Sequence, residues 1–412
     1  MGLTRLGSPS PSFMRGPLFL RRRLDDIDFQ GLYRHRRTVE SPQAAEILVE
    51  GRWLVNFCSN DYLGLANHPL VIAALQRGAS EYGVGAGAAH LVCGHGGPHQ
   101  ALEEELATFM NRDRALLFST GYMANMGVIS ALLARGDAVF EDRLNHASLL
   151  DGARLSGARL QRYGHGDSSR LQALLSGTLA DQILIATDGV FSMDGYLAPV
   201  DELSVLAKQH DAWLMIDDAH GVGVLGENGR GLLEVTGHSQ DEVPIVVGTL
   251  GKAFGTFGAF VAGSDDLIEY LIQRARTYIY TTALPPAIAE ATRASLILVK
   301  EDSWRRDRLA ERIQQFKRGA QDLGLKLVES ITPIQPLVVG DNQAALDASD
   351  QLCASGFWVS AIRPPTVPDG TARLRITLTS IHTEDQVDRL LEALSRLPLI
   401  GADRLNAQGN VA

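Results

Sequence analysis

The stretch Val246-Val-Gly-Thr-Leu-Gly-Lys-Ala-Phe-Gly-Thr-Phe-Gly-Ala-Phe260 decides how the rest of the chain is read. An apolar run ends at Thr249, a single lysine follows at Lys252, and glycines at 251, 255 and 258 keep the neighbouring backbone bare. A flat, bulky group can approach such a backbone closely. A lysine between a buried strand and a glycine-rich turn is partly desolvated, which lowers its pKa and frees the neutral amine for Schiff-base chemistry. Most lysines are solvated surface residues. The apolar, glycine-rich flanks of Lys252 set it apart from those.

Upstream lies Ala212-Trp-Leu-Met-Ile-Asp-Asp-Ala-His-Gly221. Its apolar strand delivers Asp217, Asp218 and His220 at a carboxyl end, the side on which open α/β sheets bind ligands. A Schiff-base lysine, together with an aspartate that keeps a pyridine nitrogen protonated, is the pair that pyridoxal phosphate (PLP) requires.

The chain around these two stretches alternates regularly. Strands at 138–141, 159–163, 182–186 and 213–216, separated by helices near 146–155, 169–175 and 201–210, read as βαβ units around a parallel sheet. Ahead of them, Ala115-Leu-Leu-Phe-Ser-Thr-Gly-Tyr-Met-Ala-Asn-Met-Gly-Val-Ile-Ser130 reads as strand, cap and apolar helix. A helix starting at Thr120 or Gly121 points free N–H groups and a positive dipole end at its surroundings, which suits a phosphate as well as a plain N-cap. Asn145-His146, Asp188 and Ser192-Met-Asp-Gly195 fall in the connections between the units. Gly221-Val-Gly-Val-Leu-Gly226 mimics a dinucleotide fingerprint, but Glu-Asn-Gly-Arg-Gly follows where that motif needs a helix.

Either side of this core the pattern changes. Leu24 to Arg37 predicts a short helix closed by Arg34-His-Arg-Arg37, a basic cluster serving the helix dipole or an anion. Residues 83–99 carry His90, Cys93, His95 and His99 at a spacing that matches no standard zinc pattern, and their glycines predict a loop around a ligand. Helical patterns at 287–301 and 303–323 lead into an α+β part over about 325–399. There Arg373 and Arg375 share one face of a strand, either gripping a substrate carboxylate or lying on an exposed edge.

Composition sets the outer limits. Of 412 residues, 45% are hydrophobic and 21% charged, as in ordinary globular proteins, and 38 basic against 48 acidic side chains give a net charge of −10. No basic stripe marks nucleic-acid binding, and no run of 18 apolar residues marks a membrane span. Cys58, Cys93 and Cys353 are few, odd in number and far apart, which fits reduced thiols in a cytoplasm. Residues 1–23, with five arginines, no acid and Ser-Pro-Ser-Pro-Ser at 8–12, resemble a transit peptide in composition without its amphipathic period, and are expected to be a disordered extension.

Thr249-Leu-Gly-Lys252, Asp217-Asp-Ala-His220, Asn145-His-Ala-Ser148, Phe191-Ser-Met-Asp-Gly195 and Ala361-Ile-Arg-Pro-Pro-Thr-Val-Pro368, in their order along the chain, resemble the α-oxoamine synthases. These are PLP enzymes of the aspartate-aminotransferase fold (fold type I), and the resemblance runs from about Leu24 to Leu397. It implies a large α/β domain over 61–290 with a mainly parallel sheet and a smaller α+β domain over 291–412, preceded by a helix-and-strand segment over 24–60. It implies that Lys252 holds PLP, Asp217 pairs with the pyridine nitrogen, His220 bonds the ring hydroxyl and His146 stacks over the ring. Gly121, Tyr122 and Thr249 would bind the phosphate, with Thr281 or Thr282 of the partner subunit of a homodimer, and Ser192 would lie on the cofactor's oxygen side. Arg363 or Arg375 would take the amino-acid carboxylate, with Thr366 and Arg34 also on substrate.

The implied reaction is a decarboxylative condensation of an amino acid with an acyl thioester. The motif at 361–368 is most similar to the branch that joins L-alanine to pimeloyl-CoA or a pimeloyl carrier protein in biotin synthesis. Glycine-using sisters of the 2-amino-3-ketobutyrate ligase or 5-aminolevulinate synthase type, and a non-catalytic PLP-binding relative, are the alternatives. One methyl group separates alanine from glycine, worth about 1–3 kcal/mol of discrimination.

Overall fold

A computed structural model describes residues 17–325 and 327–398. The chain opens with α1 (Pro17–Phe29) and the hairpin β1 (Glu46–Val49) and β2 (Arg52–Asn56), then α2 (Pro69–Tyr82), a π-helical turn His90–Gly94 and α3 (Gly97–Met110). The repeating core follows: β3 (Arg114–Phe118), α4 (Gly121–Leu132), β4 (Ala138–Asp142), α5 (Ala147–Ser156), β5 (Arg159–Tyr163), α6 (Ser168–Ser176), β6 (Ile183–Asp188), α7 (Val200–Gln209) and β7 (Trp213–Asp217). Short α8 (Leu232–Thr236) leads to β8 (Ile245–Thr249) and β9 (Ala259–Gly263). Helices α9 (Asp265–Arg274), α10 (Arg276–Ile279), α11 (Pro286–Glu301) and α12 (Trp304–Asp322) carry the chain to its last part. That part holds β10 (Ile334–Gly340), α13 (Asn342–Ala354), β11 (Phe357–Trp358), β12 (Ser360–Ile362), β13 (Ala372–Thr377) and α14 (Glu384–Ser395).

Seven strands form the main sheet in the order β3-β9-β8-β7-β6-β4-β5. All neighbours are parallel except β9, which runs antiparallel to both β8 and β3. Alternate residues feed two separate apolar layers: Leu214, Ile216 and Val246 pack on one side, Met215, Ile245 and Val247 on the other. Burial on both faces is why these strands read as unbroken apolar runs. The parallel arrangement also brings the carboxyl ends of β4, β6, β7 and β8 to one edge. There stand Asp142, Asp188, Asp217 and Thr249.

Two expectations are corrected. The helix expected over 24–37 instead covers Pro17–Phe29, because Gly31 turns into the left-handed region (φ 64°) and ends it. Arg34 to Arg37 therefore follow the helix rather than close it. Residues 17–23, assigned to a disordered extension, are its first turns, while the expectation for residues 1–16 lies outside the described residues. Within 24–60, β2 pairs in parallel with β11, Val55 opposite Phe357, which joins the N-terminal hairpin to the C-terminal part.

Candidate active site

A cavity of about 180 Å³ opens at the shared carboxyl edge of the main sheet. It is lined by Gly121, Tyr122, His146, Ser148, Asp188, Val190, Ser192, Asp217, Ala219, His220, Thr249 and Lys252. Eight residues singled out from the sequence, spread over 132 positions, thus meet in one place.

Lys252 follows β8 by three residues, and burial lowers its pKa to about 8, against the pull of Asp217 and Asp188. The turn that carries it is fixed by glycine chemistry. Gly255 has φ 64°, and a Cβ there would stand 2.3 Å from the Ala66 backbone nitrogen, so the turn can seat against the N-terminal segment only without a side chain. Thr249 Oγ1 donates to the Gly258 carbonyl (3.1 Å), tying the strand to the far side of the same turn.

Asp217 ends β7 with both oxygens engaged. Asn125 Nδ2 donates to Oδ2 (2.6 Å), and the Ala219 amide donates to Oδ1 (3.0 Å). Asn125 Nδ2 also donates to Ser148 Oγ (2.8 Å), which shares a hydrogen bond with His146 Nδ1 (2.7 Å). A polar chain therefore runs from the Asp217 carboxylate to the His146 ring. The His146 amide donates to Asp188 Oδ2 (3.0 Å), and burial lowers the pKa of the imidazole. Asp188 is pushed well up, first by burial and then by the Asp217 charge.

His220 is buried and shares a 2.6 Å hydrogen bond between Nδ1 and the Tyr62 hydroxyl. Burial, then the Lys252 and Arg375 charges, hold it well below the ordinary histidine range, so it is a neutral imidazole with its ring pinned at one nitrogen. Asp218, its neighbour in sequence, points away. Its Oδ2 accepts the Leu232 amide (2.6 Å), and Gly221 and Gly231 press so close that a Cβ on either would lie within about 2 Å of its carboxylate. Burial raises its pKa to about 8. Of the adjacent aspartates only Asp217 faces the cavity.

The cavity's opposite wall is the start of α4. Thr120 caps the helix by accepting the Met123 amide (3.2 Å), and the amides of Gly121 and Tyr122 have no acceptor among the described residues. Gly121 lines the cavity, and a Cβ built on it meets no heavy atom within 4 Å. These features fit PLP: bare helix N–H groups and a glycine for a phosphate, a carboxylate with fixed donors for a pyridine nitrogen, and a buried low-pKa amine for an aldehyde.

The remaining predicted residues fall elsewhere. Arg373 and Arg375 lie on β13, the centre of the β10-β13-β12 sheet, and are 8% and 7% exposed, which overturns the exposed-edge alternative. Arg375 Nε donates to the Ser192 carbonyl (2.7 Å), Nη1 to Thr377 Oγ1 (2.9 Å), and both Nη atoms to Asn60 Oδ1 (3.2 Å). Arg363, Thr366 and Arg34 line a second cavity of about 250 Å³ between the N-terminal segment and β12. Arg363 donates to the carbonyls of Gly31 and Tyr33. Thr281 and Thr282 do not line the cavity of their own chain, and Thr282 bridges to Ala89.

The stretch 83–99, expected to be a loop around a ligand, is irregular on either side of its middle up to the start of α3 at Gly97. Its middle is the π-helical turn, where His90 stacks on Tyr278 (4.9 Å between centroids) and His99 Nε2 bonds the Leu284 carbonyl (2.5 Å). Asn125, Ser148, Tyr62 and Asn60 were missed. Only Asn125 left a trace in the sequence, as the one amide in the apolar helix Gly121–Leu132.

Residues 52–394 match the family model "Aminotransferase class I and II". The chain is 63% identical over 372 residues to the 8-amino-7-oxononanoate synthase of Methylococcus capsulatus, covering 90% of this chain and 96% of that protein. It is 64% identical over 365 residues to the synthase of the same name from Nitrosococcus oceani, covering 89% and 97%. Among solved structures, the 8-amino-7-oxononanoate synthase of Francisella tularensis superposes with a TM-score of 0.74 at 36% identity, over 83% of this chain and 97% of that one. A serine palmitoyltransferase from S. paucimobilis with bound PLP–myriocin aldimine superposes with a TM-score of 0.89 at 29% identity, over 94% of this chain and 100% of that one.

Proposed function

Because this chain belongs to the class I and II aminotransferase family, in its α-oxoamine synthase branch, we propose that it condenses L-alanine with a pimeloyl thioester. The products are 8-amino-7-oxononanoate, CO₂ and free thiol, a step of cytoplasmic biotin synthesis. The observation that carries this reading is the buried Lys252 amine sharing a cavity with Asp217 and the bare start of α4. Relatives named for this reaction match the chain over nearly their whole length.

PLP, when bound, supplies the electron sink that makes the amino acid's Cα proton acidic. Asp217, held by Asn125 and Ala219, keeps the ring nitrogen protonated. The His146 ring would hold the cofactor ring, and His220, pinned by Tyr62, would bond its hydroxyl, with Ser192 on the same oxygen side. The amides of Gly121 and Tyr122 and the Thr249 hydroxyl would hold the phosphate, completed by Thr281 or Thr282 of the partner subunit in a homodimer. Lys252, with its pKa lowered to about 8, takes the Cα proton and returns one at the end.

Of the two arginines proposed for the amino-acid carboxylate, Arg375 is favoured. It lies close enough to lower the pKa of both Lys252 and His220, whereas Arg363 sits with Arg34 and Thr366 in the second cavity, which suits the acyl thioester. Cα bonds to the acyl carbonyl carbon as the thiol leaves. The original carboxylate then departs as CO₂.

The test is thiol release by the PLP-loaded protein with pimeloyl-CoA and either L-alanine or glycine. Release favouring alanine is expected. Preference for glycine, or turnover only with shorter acyl-CoA donors, moves the enzyme to a sister reaction; no release with pimeloyl-CoA points to a carrier-protein donor, and no release with pimeloyl carrier protein either overturns the reading.

A further inference from the structure

Val190 and Leu197 bridge as the base of a small antiparallel hairpin that carries Ser192 at the cavity wall. The hairpin closes on itself through Phe191 N–H to Tyr196 O (2.9 Å) and Gly195 N–H to Phe191 O (2.9 Å). One side faces the small domain. Arg375 donates to the Ser192 carbonyl, Arg373 to the Met193 carbonyl (3.4 Å), and Ser330 Oγ to the Gly195 carbonyl (3.2 Å). The other side faces the large domain, where the Gly189 amide donates to the Asp217 carbonyl (2.7 Å), Phe191 is buried in the core, and His165 reaches Asp194 near the hairpin's tip. His165 Nδ1 bonds both oxygens of Asp142 (3.1 and 3.2 Å), at the buried end of β4, while its Nε2 lies 3.5 Å from Asp194 Oδ2 within the hairpin. The ring meets Phe191 edge-on (4.5 Å, 84°) and packs against Tyr196 (4.6 Å), so both ring nitrogens and two ring contacts are committed to the hairpin or to β4. Gly166 has φ 64°, and a Cβ on it would stand 2.7 Å from the Tyr196 hydroxyl, so the turn bearing His165 is pressed onto the hairpin.

We infer that His165 is a positioning residue. It clamps the Ser192 hairpin to β4 and so holds Arg375 in register with the cofactor cavity. The physical case is one of charge and shape. Asp142 and Asp194 face the same imidazole from opposite edges, and a cation between two carboxylates holds both where a neutral spacer leaves them to repel. Burial by itself would lower the pKa of His165, but the Asp142 bond and charge, with Asp194, outweigh it and raise the net value. Arg375 meets the large domain through a backbone carbonyl of this hairpin and meets the N-terminal segment through Asn60. If the hairpin is free to move, the guanidinium keeps its charge but loses its aim and Ser192 moves with it, while Lys252 and Asp217 stay on their own strands.

This inference rests on the proposed carboxylate role of Arg375, and the experiment separates the two. His165→Ala and Asp194→Asn are compared with the native holoenzyme by amide hydrogen exchange of peptides covering 189–197. L-Alanine affinity is read from the change in cofactor absorbance without any thioester, and PLP affinity from titration of the apoprotein. The expected result is at least ten-fold faster exchange at 189–197 in His165→Ala and about ten-fold weaker L-alanine binding, with a clearly smaller loss of PLP affinity, since only Ser192 and Val190 among the cavity's residues ride on the hairpin. His165→Gln, which keeps a donor but not both edges, is expected between. Unchanged exchange overturns the clamp. Faster exchange with native alanine affinity overturns the positioning role, provided that Arg375→Lys does weaken alanine. If Arg375→Lys leaves alanine binding native, the carboxylate reading has failed and the exchange data alone decide the clamp. Equal loss of PLP and alanine affinity shows general loosening and also overturns the inference.

Discussion

Asn125 Nδ2 donates to Asp217 Oδ2 at 2.6 Å, joining the second turn of one helix to the end of a strand 92 residues away. A hydrogen bond to a charged group contributes about 1.5–3 kcal/mol. Asn125→Ala removes it and leaves Asp217 with the Ala219 amide as its remaining neutral donor. The expected outcome is PLP affinity at least ten-fold weaker, measured by absorbance titration of the apoprotein, and a native value would show that this bond does not act on the cofactor.

Gly121 is a test of the cradle that does not threaten the fold. A methyl group there meets no protein atom within 4 Å, and a residue at the first position of a helix gains from alanine. Gly121→Ala apoprotein should melt at or slightly above the native temperature, yet bind PLP about ten-fold more weakly because the methyl group occupies phosphate space. Unaltered PLP affinity would remove the start of α4 from the cofactor site.

Lys252 offers a pH signature, since its pKa falls from the ordinary lysine value of 10.5 to about 8. The neutral amine alone attacks an aldehyde. The rate of absorbance change on adding PLP to apoprotein should climb with pH and level off above about 8, where an unperturbed lysine would still be climbing. The unfolded chain binds a proton that the folded one lacks between those two values, so the apoprotein gains stability as pH rises from about 8 to 10.5. Lys252→Ala should lose both the rate profile and turnover.

For Asp218 the sign is reversed. Its pKa rises from 3.8 unfolded to about 8 folded, chiefly by burial, so the native protein binds the extra proton and loses stability as pH climbs through that window. Asp218→Asn keeps an acceptor for the Leu232 amide and cannot ionise. Its stability relative to the native protein should increase between pH 5 and 9, by about 1 kcal/mol or more at the upper end, read from urea unfolding of the apoproteins. A constant difference across that range would mean that Asp218 is ionised throughout.

The sequence carried the residues that stand at strand ends. Lys252, Asp217 and His220 were legible because an apolar run buried on both faces must end somewhere, and the polar residues just past its end mark the sheet's working edge. The helix starting at Gly121 was legible from its cap. What stayed hidden depends on contacts between distant positions: Tyr62 reaches His220 across 158 residues, and Asn60 reaches Arg375 across 315. Arg373-Leu-Arg375 alternates like a half-exposed strand, yet the strand lies between two others and the arginines are covered by the Ser192 hairpin. The boundary of α1 was misplaced because its apolar residues suggested a face that continued past Gly31, where the backbone turns left-handed.

The Asn60–Arg375 contact also sets an order of events during synthesis. Every side chain that lines the cofactor cavity lies at or before Lys252, and β9, the last strand of the main sheet, ends at Gly263. A ribosome that has released the chain to that point has delivered every residue that lines the cavity, while Thr281, Thr282, Arg375 and the strands that flank Arg375 are still to be translated. Arg375, proposed above for the amino-acid carboxylate, thus arrives after the whole cavity lining. A chain cut short after β9 would possess every residue that lines the cavity and neither Arg373 nor Arg375.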